Sequence, residues 1–271
     1  MVGRIGSIVN RRFDMKPATF RRSNPIPILW EDGRLVAVAK PAGLASIPGR
    51  GETDNLLHHL ARQIHLGAEG SADPRLRIVH RLDKDTSGVM LLAKDIDAQR
   101  HLSTQFQNNQ VQKEYLAIVI GRPSKPSGQI DAPLAPQRGS ARMCIAGSGR
   151  AARTDWVVER KMRRFTLLRC FPRTGRTHQI RVHLKSIGLP LAVDPLYNPP
   201  PPGKIPGIFL SHHKRDYRGT AGELERPLIG RLSLHAEKIQ FAHPDGRRLT
   251  IECPPPKDFR AALTQLGKLM R

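Results

Sequence analysis

Apolar side chains recur along this chain with two periods, and the switches between them mark out its elements. From Ile28 to Ala39, β-branched and aliphatic residues lie on both sides of Asp32-Gly33, which predicts two strands joined by a tight turn. Lys40-Pro41-Ala42-Gly43 then forces a loop, because proline and glycine together interrupt any regular element. Leu56, Leu57, Leu60 and Ile64 follow at helical spacing, with Thr53 and Asp54 placed to cap that helix. Strand-like runs at 77–80 and 89–93 enclose a polar turn, residues 96–109 read as a helix, and 113–120 as a strand. Further strands fit 154–160, 165–171, 234–241 and 248–252, with helices at 178–186 and 258–269. Nothing regular is assigned between 121 and 153. Several neighbouring strands are joined too tightly for parallel crossovers, so the expected fold class is α+β: a mixed, mostly antiparallel sheet flanked by helices and loops.

Composition adds a partner to this outline. The 271 residues carry 45 Lys+Arg against 23 Asp+Glu, a formal net charge of +22, mostly from arginine. With 39% hydrophobic residues the chain can still pack a core, so it is not merely a basic tail. No apolar run approaches the roughly 18–20 residues of a membrane span. The three cysteines, Cys144, Cys170 and Cys253, stand too far apart for a CxxC pair. A cytoplasmic monomer that meets a polyanion is the expectation, with RNA or DNA the commonest such partner and no membrane contact.

The charge is unevenly spread. Residues 1–25 hold Arg4, Arg11, Arg12, Lys16, Arg21 and Arg22 against Asp14, and read as a basic flexible arm. A targeting peptide or a start at Met15 are the other readings. The main domain is placed at 26–262, with a Pro/Gly-rich and charged insertion at 199–231, and 263–271 is left as a helix end and tail.

Two polar clusters carry the candidate chemistry. His80-Arg81-Leu82-Asp83-Lys84-Asp85-Thr86-Ser87-Gly88 lies between two apolar strands, where a turn holds carboxylates and hydroxyls at the mouth of a sheet. By composition alone a solvated hairpin turn is the better reading of it. Arg173 to His183, reading RTGRTHQIRVH, sets basic side chains beside a glycine and a helix start, a seat for anions. His178 and His183 are five apart with no acidic partner, so no metal is expected.

Taken in order with their surroundings, these segments closely resemble the RluA-type pseudouridine synthases. The family's HRLD-x-x-TSG motif is matched by His80 to Gly88, its KPxG by Lys40 to Gly43, and its K-x-Y-L-A by Lys113 to Ala117. Its TGR-x-HQIR-x-H segment is matched by Thr174 to His183, and its LHA…F-x-HP ending by Leu234 to Ala236 and Phe241 to Pro244. The resemblance implies an enzyme that isomerises uridine in ribosomal or transfer RNA with no cofactor. It makes Asp83 the catalytic aspartate, sets Tyr115 against the target base, and pairs Arg181 with Asp83, favouring its ionised form. Arg81 would probe the RNA, and Lys40, Arg176, His178 and Gln179 would contact it. Thr86 and Ser87 are expected to buttress the turn. Residues 193–197 read Val-Asp-Pro-Leu-Tyr where the family usually has G-D-x-x-Y, a change expected to alter the loop beside the cleft without touching the catalytic positions. No S4-like segment is read ahead of the main domain, so the arm and the insertion are expected to supply extra RNA contacts.

Two other classes compete. A silent RNA-binding factor on the same fold is disfavoured by the retained Asp83, Tyr115 and Arg181. A base-removing glycosidase would need a second carboxylate to handle water, for which Asp85 is the nearby candidate.

Overall fold

The expected N-terminal hairpin forms, with β1 (Ile28–Glu31) antiparallel to β2 (Leu35–Lys40). Asp32 turns the chain by accepting the Arg34 and Leu35 amides at 2.8 Å each. The computed structural model describes residues 24–48, 54–68, 75–214, 217–218 and 224–268. Nearly all of the basic arm therefore lies outside the described residues, as does Thr53, proposed as a cap. The helix α1 (Leu56–Gln63) is instead capped by Asn55, whose side chain accepts the His58 amide. Asp54 bonds the His59 ring.

β3 (Arg77–Ile78) and β4 (Ser87–Ala93) enclose the polar turn, and Asp95 caps α2 (Ile96–Gln107) while receiving Arg34 from the hairpin. After β5 (Gln112–Ile120) come three short strands that the apolar pattern does not announce: β6 (Ser127–Asp131), β7 (Leu134–Pro136) and β8 (Met143–Ile145). Each is brief, β6 with glycine and polar residues, β7 ending on proline and β8 only three residues long, too little for a two-residue period to register. β9 (Arg153–Lys161), β10 (Phe165–Pro172), α3 (Gln179–Ser186), β11 (Leu234–Ala242), β12 (Arg248–Glu252) and α4 (Lys257–Lys268) complete the chain near the expected positions.

The main sheet runs β1-β2-β4-β11-β5-β10-β9-β6, with β12 also on β11 and β3 also on β4. Every pairing is antiparallel except β4 with β11, so the mixed, mostly antiparallel α+β sheet is as expected. β7 and β8 form a separate hairpin. Alternation along β5 divides the interior. Ala117 and Val119 pack with Ile180 and Leu184 of α3, whereas Leu116 and Ile118 pack with Phe259 and Leu266 of α4. Leu266 is 2% exposed and α4 is unbroken at 262, so the main domain continues to the end of this helix. The insertion is anchored as well: Ile208 and Ile229 bridge each other and sit buried in the α4 cluster. No helix among the described residues is long and apolar enough to cross a membrane.

One expectation fails here. Lys40 does not face RNA: it is 1% exposed, and its Nζ donates to the carbonyls of Pro41, Leu44 and Lys84 at 2.7–2.9 Å. Burial lowers its pKa to about 7. The proline-glycine loop needs donors for its inward carbonyls, and this lysine supplies three. Lys40→Met should therefore cost about 2–4 kcal/mol of stability, seen as a lower melting temperature, without changing the salt dependence of RNA binding. A flatter salt slope with an unchanged melting temperature would restore Lys40 to the RNA surface.

Gly88, second in β4, has φ +128°, and a Cβ there would stand 2.1 Å from the Ala236 carbonyl oxygen of β11. Only glycine lets these two parallel strands meet. Gly88→Ala should lower the unfolding free energy by about 3 kcal/mol or more in urea titrations. A loss below about 1 kcal/mol would mean the strands part easily here.

Candidate active site

The 79–86 turn is held from behind before it presents anything to solvent. His80 Nε2 accepts the Leu91 amide at 2.9 Å, and its ring stacks on Phe106 at 4.5 Å. Burial and the nearby Lys113 charge drive its pKa down to about 3, so it is a neutral acceptor in a structural role. Ser46 Oγ both accepts the Leu82 amide and donates to the Leu82 carbonyl. The Thr86 amide closes the turn onto the Asp83 carbonyl. Asp83 is thereby projected from a fixed backbone, its side chain 26% exposed.

Arg181, on the first turn of α3, meets it from the other side. Its Nη1 donates to Asp83 Oδ2 at 3.0 Å. Its Nε and Nη2 form a two-pronged pair with Asp194 at 2.9 and 2.8 Å. The guanidinium also lies 4.9 Å from the centre of the Tyr197 ring, a cation–π contact. Asp194, 1% exposed, accepts the Leu196 and Tyr197 amides as well. The Tyr197 hydroxyl accepts the Met143 amide at 2.7 Å, which leaves its proton for His178 Nδ1 at 2.8 Å. His178 then carries its own proton on Nε2, which points at Asp83 Oδ2 from 4.0 Å. Its left-handed backbone, φ 55°, opens α3 and aims the ring. Burial lowers the His178 pKa, outweighing the pull of Asp83, so the ring is neutral at working pH.

The sequence reading missed Asp194 and Tyr197 as functional residues. Val193, standing where the resembled pattern has glycine, is buried in the α4 cluster. The next four residues are another matter, since two of them grip Arg181. The signal was present in the retained Asp and Tyr of the G-D-x-x-Y pattern, but their common partner was not.

Asp83 and Arg181 open onto a cavity of about 690 Å³ that also takes in Tyr115, Arg81, His178 and Arg176. Among the described residues that line it, Asp83 is the only carboxylate. Asp85 is exposed and lies in a separate 380 Å³ pocket across Asp83, away from Tyr115. Two-carboxylate sugar hydrolysis therefore lacks its second acid in the main cavity. Tyr115 projects from β5 on the face that packs under α3, and burial together with the Asp83 charge raises its pKa well above the ordinary 10. The phenol is neutral throughout the working range. The β7–β8 hairpin supplies another wall through Leu134, Pro136 and Met143, from the stretch where the sequence reading assigned nothing.

The remaining predicted contacts divide. Arg81 is exposed and steadied by the Thr177 hydroxyl, and Arg176 is partly exposed with Nε on the Ala151 carbonyl. Both can turn toward a ligand. Gln179 cannot, and its assignment to RNA binding is corrected. It is 4% exposed, with its oxygen taken by the Thr174 hydroxyl and Arg176 amide, and its nitrogen by the Arg153 carbonyl and Thr154 hydroxyl. All four of its hydrogen-bonding positions fix the 173–178 turn. His183 is likewise interior, bridging Thr154 and the Ala132 carbonyl.

Comparisons with known proteins agree with this geometry. Residues 34–186 match a family model described as RNA pseudouridylate synthase. A ribosomal large subunit pseudouridine synthase D from Nitrosomonas europaea is 40% identical over 247 residues, 90% of this chain and 66% of that protein. Its namesake from Xanthomonas campestris pv. campestris is 37% identical over 248 residues, 89% of this chain and 70% of that one. The chain thus spans about two thirds of the length of these relatives. The solved structure of human RNA pseudouridylate synthase domain containing 4 superposes with a TM-score of 0.64 at 29% identity, covering 89% of this chain and 92% of the human one. Because the family match runs through the Asp83 turn and β5 to the end of α3, and the relatives follow nine tenths of the sequence, this chain belongs to the RNA pseudouridylate synthase family.

Proposed function

We propose that this chain isomerises uridine to pseudouridine in structured RNA, with Asp83 as the catalytic residue. The observation that carries the reading is the lone carboxylate of the cavity, paired with a buried guanidinium that is itself held by Asp194. The names of the relatives make large-subunit ribosomal RNA the leading substrate class, with transfer RNA the other candidate.

The reaction breaks the N-glycosidic bond, turns the uracil and rejoins it through C5. Asp83 acts at the sugar, either attacking C1′ or taking the C2′ proton. Arg181 keeps a positive charge against that carboxylate, and Asp194 and Tyr197 keep the guanidinium from swinging into the cavity. The target base is unreachable inside a helix, so it enters flipped out, at a cost of about a few kcal/mol for unstacking. Arg81 and Arg176 stand at the cavity with donors for phosphate oxygens. Tyr115 lies against the base. As a neutral phenol it takes the C5 proton only by passing its own onward.

Asp83→Asn should abolish pseudouridine formation while the melting temperature and RNA affinity stay close to wild type. Turnover within tenfold of wild type would move the chemistry elsewhere. Mass spectrometry of the product separates the classes, since isomerisation keeps RNA mass, base removal lowers it, and binding alone leaves the RNA unaltered.

Tyr115→Phe keeps the ring and removes the hydroxyl. It should still process RNA carrying 5-fluorouridine, which has no C5 proton to lose, and fail to complete turnover on uridine. Because the phenol pKa is raised, the wild-type pH–rate profile should show no tyrosine limb below about pH 10. Wild-type pseudouridine formation by the Phe variant would exclude the proton-transfer role.

A further inference from the structure

Lys113 opens the K-x-Y-L-A segment, and the mechanism above makes no use of it. It lies two residues before Tyr115 on β5, so the two side chains share a face of the sheet. Its Nζ donates to the Thr174 carbonyl at 3.2 Å. Among the described residues, no carboxylate stands within ion-pair distance of it. Three large cations nearby are compensated: Arg181 by Asp83 and Asp194, Arg173 by Asp155, and Arg169 by Glu114, Glu159 and Glu237. Arg81, Arg150 and Arg176 are exposed or partly exposed and keep water about them. Burial lowers the Lys113 pKa to about 8, so near neutrality it is still mainly an ammonium ion, poorly solvated and without a counter-charge. An unpaired charge in such a place is costly unless an anion arrives to meet it.

The cavities indicate which anion. Beside the 690 Å³ cavity is a second, more enclosed pocket of about 230 Å³, and the two share Lys113 and Pro172. Val111, Phe171 and Pro172 give this second pocket apolar surface, and Asn109, Gln112 and Glu114 give it polar groups. Apolar surface to lie against and hydrogen-bonding groups at an edge suit a nucleobase. An RNA strand with one base in each pocket has to place a phosphodiester between them, where Lys113 stands.

We infer that Lys113 holds the phosphodiester joining the flipped uridine to one neighbour, and that the 230 Å³ pocket receives that neighbour's base. The inference rests on the RNA-modifying reading of the site and makes Lys113 a positioning residue within it. The second pocket then contributes to the choice of uridine, since its polar groups meet the edge of a base other than the one being modified.

The test uses the full chain and a large-subunit ribosomal RNA fragment in which the wild-type protein forms pseudouridine. Uncharged methylphosphonate linkages are placed singly on the 5′ or 3′ side of the target uridine, and an abasic site replaces either neighbour. At one of the two linkages, loss of charge should weaken wild-type binding about tenfold. Lys113→Met should bind about tenfold more weakly than wild type and be indifferent to that same linkage. Its salt slope should fall by about 0.7–0.9, the contribution of one phosphate. Lys113→Arg should restore most of the affinity and the sensitivity. The abasic site on that side should weaken wild-type binding, whereas the one on the other side should not. A purely structural lysine would lower the melting temperature without coupling to one linkage. The inference is overturned if neutralising either linkage leaves wild-type binding unchanged, a result that needs no variant to fold. It is overturned equally if Lys113→Met remains as sensitive to the linkage as wild type, or if neither abasic site matters. Failure of the wild-type protein to isomerise any RNA would instead overturn the functional reading beneath it.

Discussion

A single guanidinium ties this site together. Arg181 is 8% exposed and lies between two carboxylates, with two donors committed to Asp194 and one to Asp83. The division is unequal for a geometric reason: a planar fork satisfies one carboxylate completely and has one prong left for another. Asp194 is the anchor, buried and further held by two backbone amides. Asp83 receives one bond on Oδ2, and none of the described residues bonds its Oδ1. The carboxylate proposed as catalytic is thus fixed in direction while one of its oxygens stays open to the cavity. The 79–86 turn meets α3 and the 193–197 loop, about a hundred residues further along the chain, through this one side chain. Removing Asp194 would break the buried two-pronged pair and orphan two backbone amides, which is the costly way to break such a cluster, whereas Asp83 is partly exposed and takes a single bond from Arg181.

The polar groups around the Asp83 turn serve the backbone more than the reaction. Lys40 caps three carbonyls, Ser46 clamps Leu82 from both sides, His80 accepts from β4, and Gln179 secures the turn before α3. A loop that carries a catalytic residue has few ladder hydrogen bonds of its own, so side chains take over the inward amides and carbonyls. The ammonium of Lys113 differs from these. It makes one backbone contact and stands at the junction of two cavities, so its charge is completed from outside the protein.

What a single chain could announce was whatever depends on residues close in sequence. The 28–39 hairpin, the 96–107 helix and the long strands β5, β9, β10 and β11 were legible because periodicity and turn chemistry are local. The Asp83 cluster and the RTGRTHQIR segment were legible as dense polar runs between apolar ones, and their resemblance to a known family supplied roles for Asp83, Tyr115 and Arg181. The structure brings those three together. Short β6, β7 and β8 were not legible, because β6 holds a single large apolar residue and β7 and β8 only three residues each, and their pairing is set by neighbours elsewhere.

Burial separated the rest. Lys40, Arg81, Arg176 and Gln179 look alike as polar residues in basic motifs, yet Lys40 and Gln179 point inward and spend their donors on the protein, while the two arginines reach the cavity. Nothing local distinguishes them, since which way a polar side chain turns depends on whether the backbone beside it is left with unpaired groups. Asp194 and Tyr197 joined the site only when folding set them against Arg181, thirteen and sixteen positions back along the chain. Sequence alone determined which chemistry was available and which stretches would be regular. Tertiary structure decided which of those charges are paired, buried or open to a ligand, because electrostatic pairing and desolvation depend on distance in space.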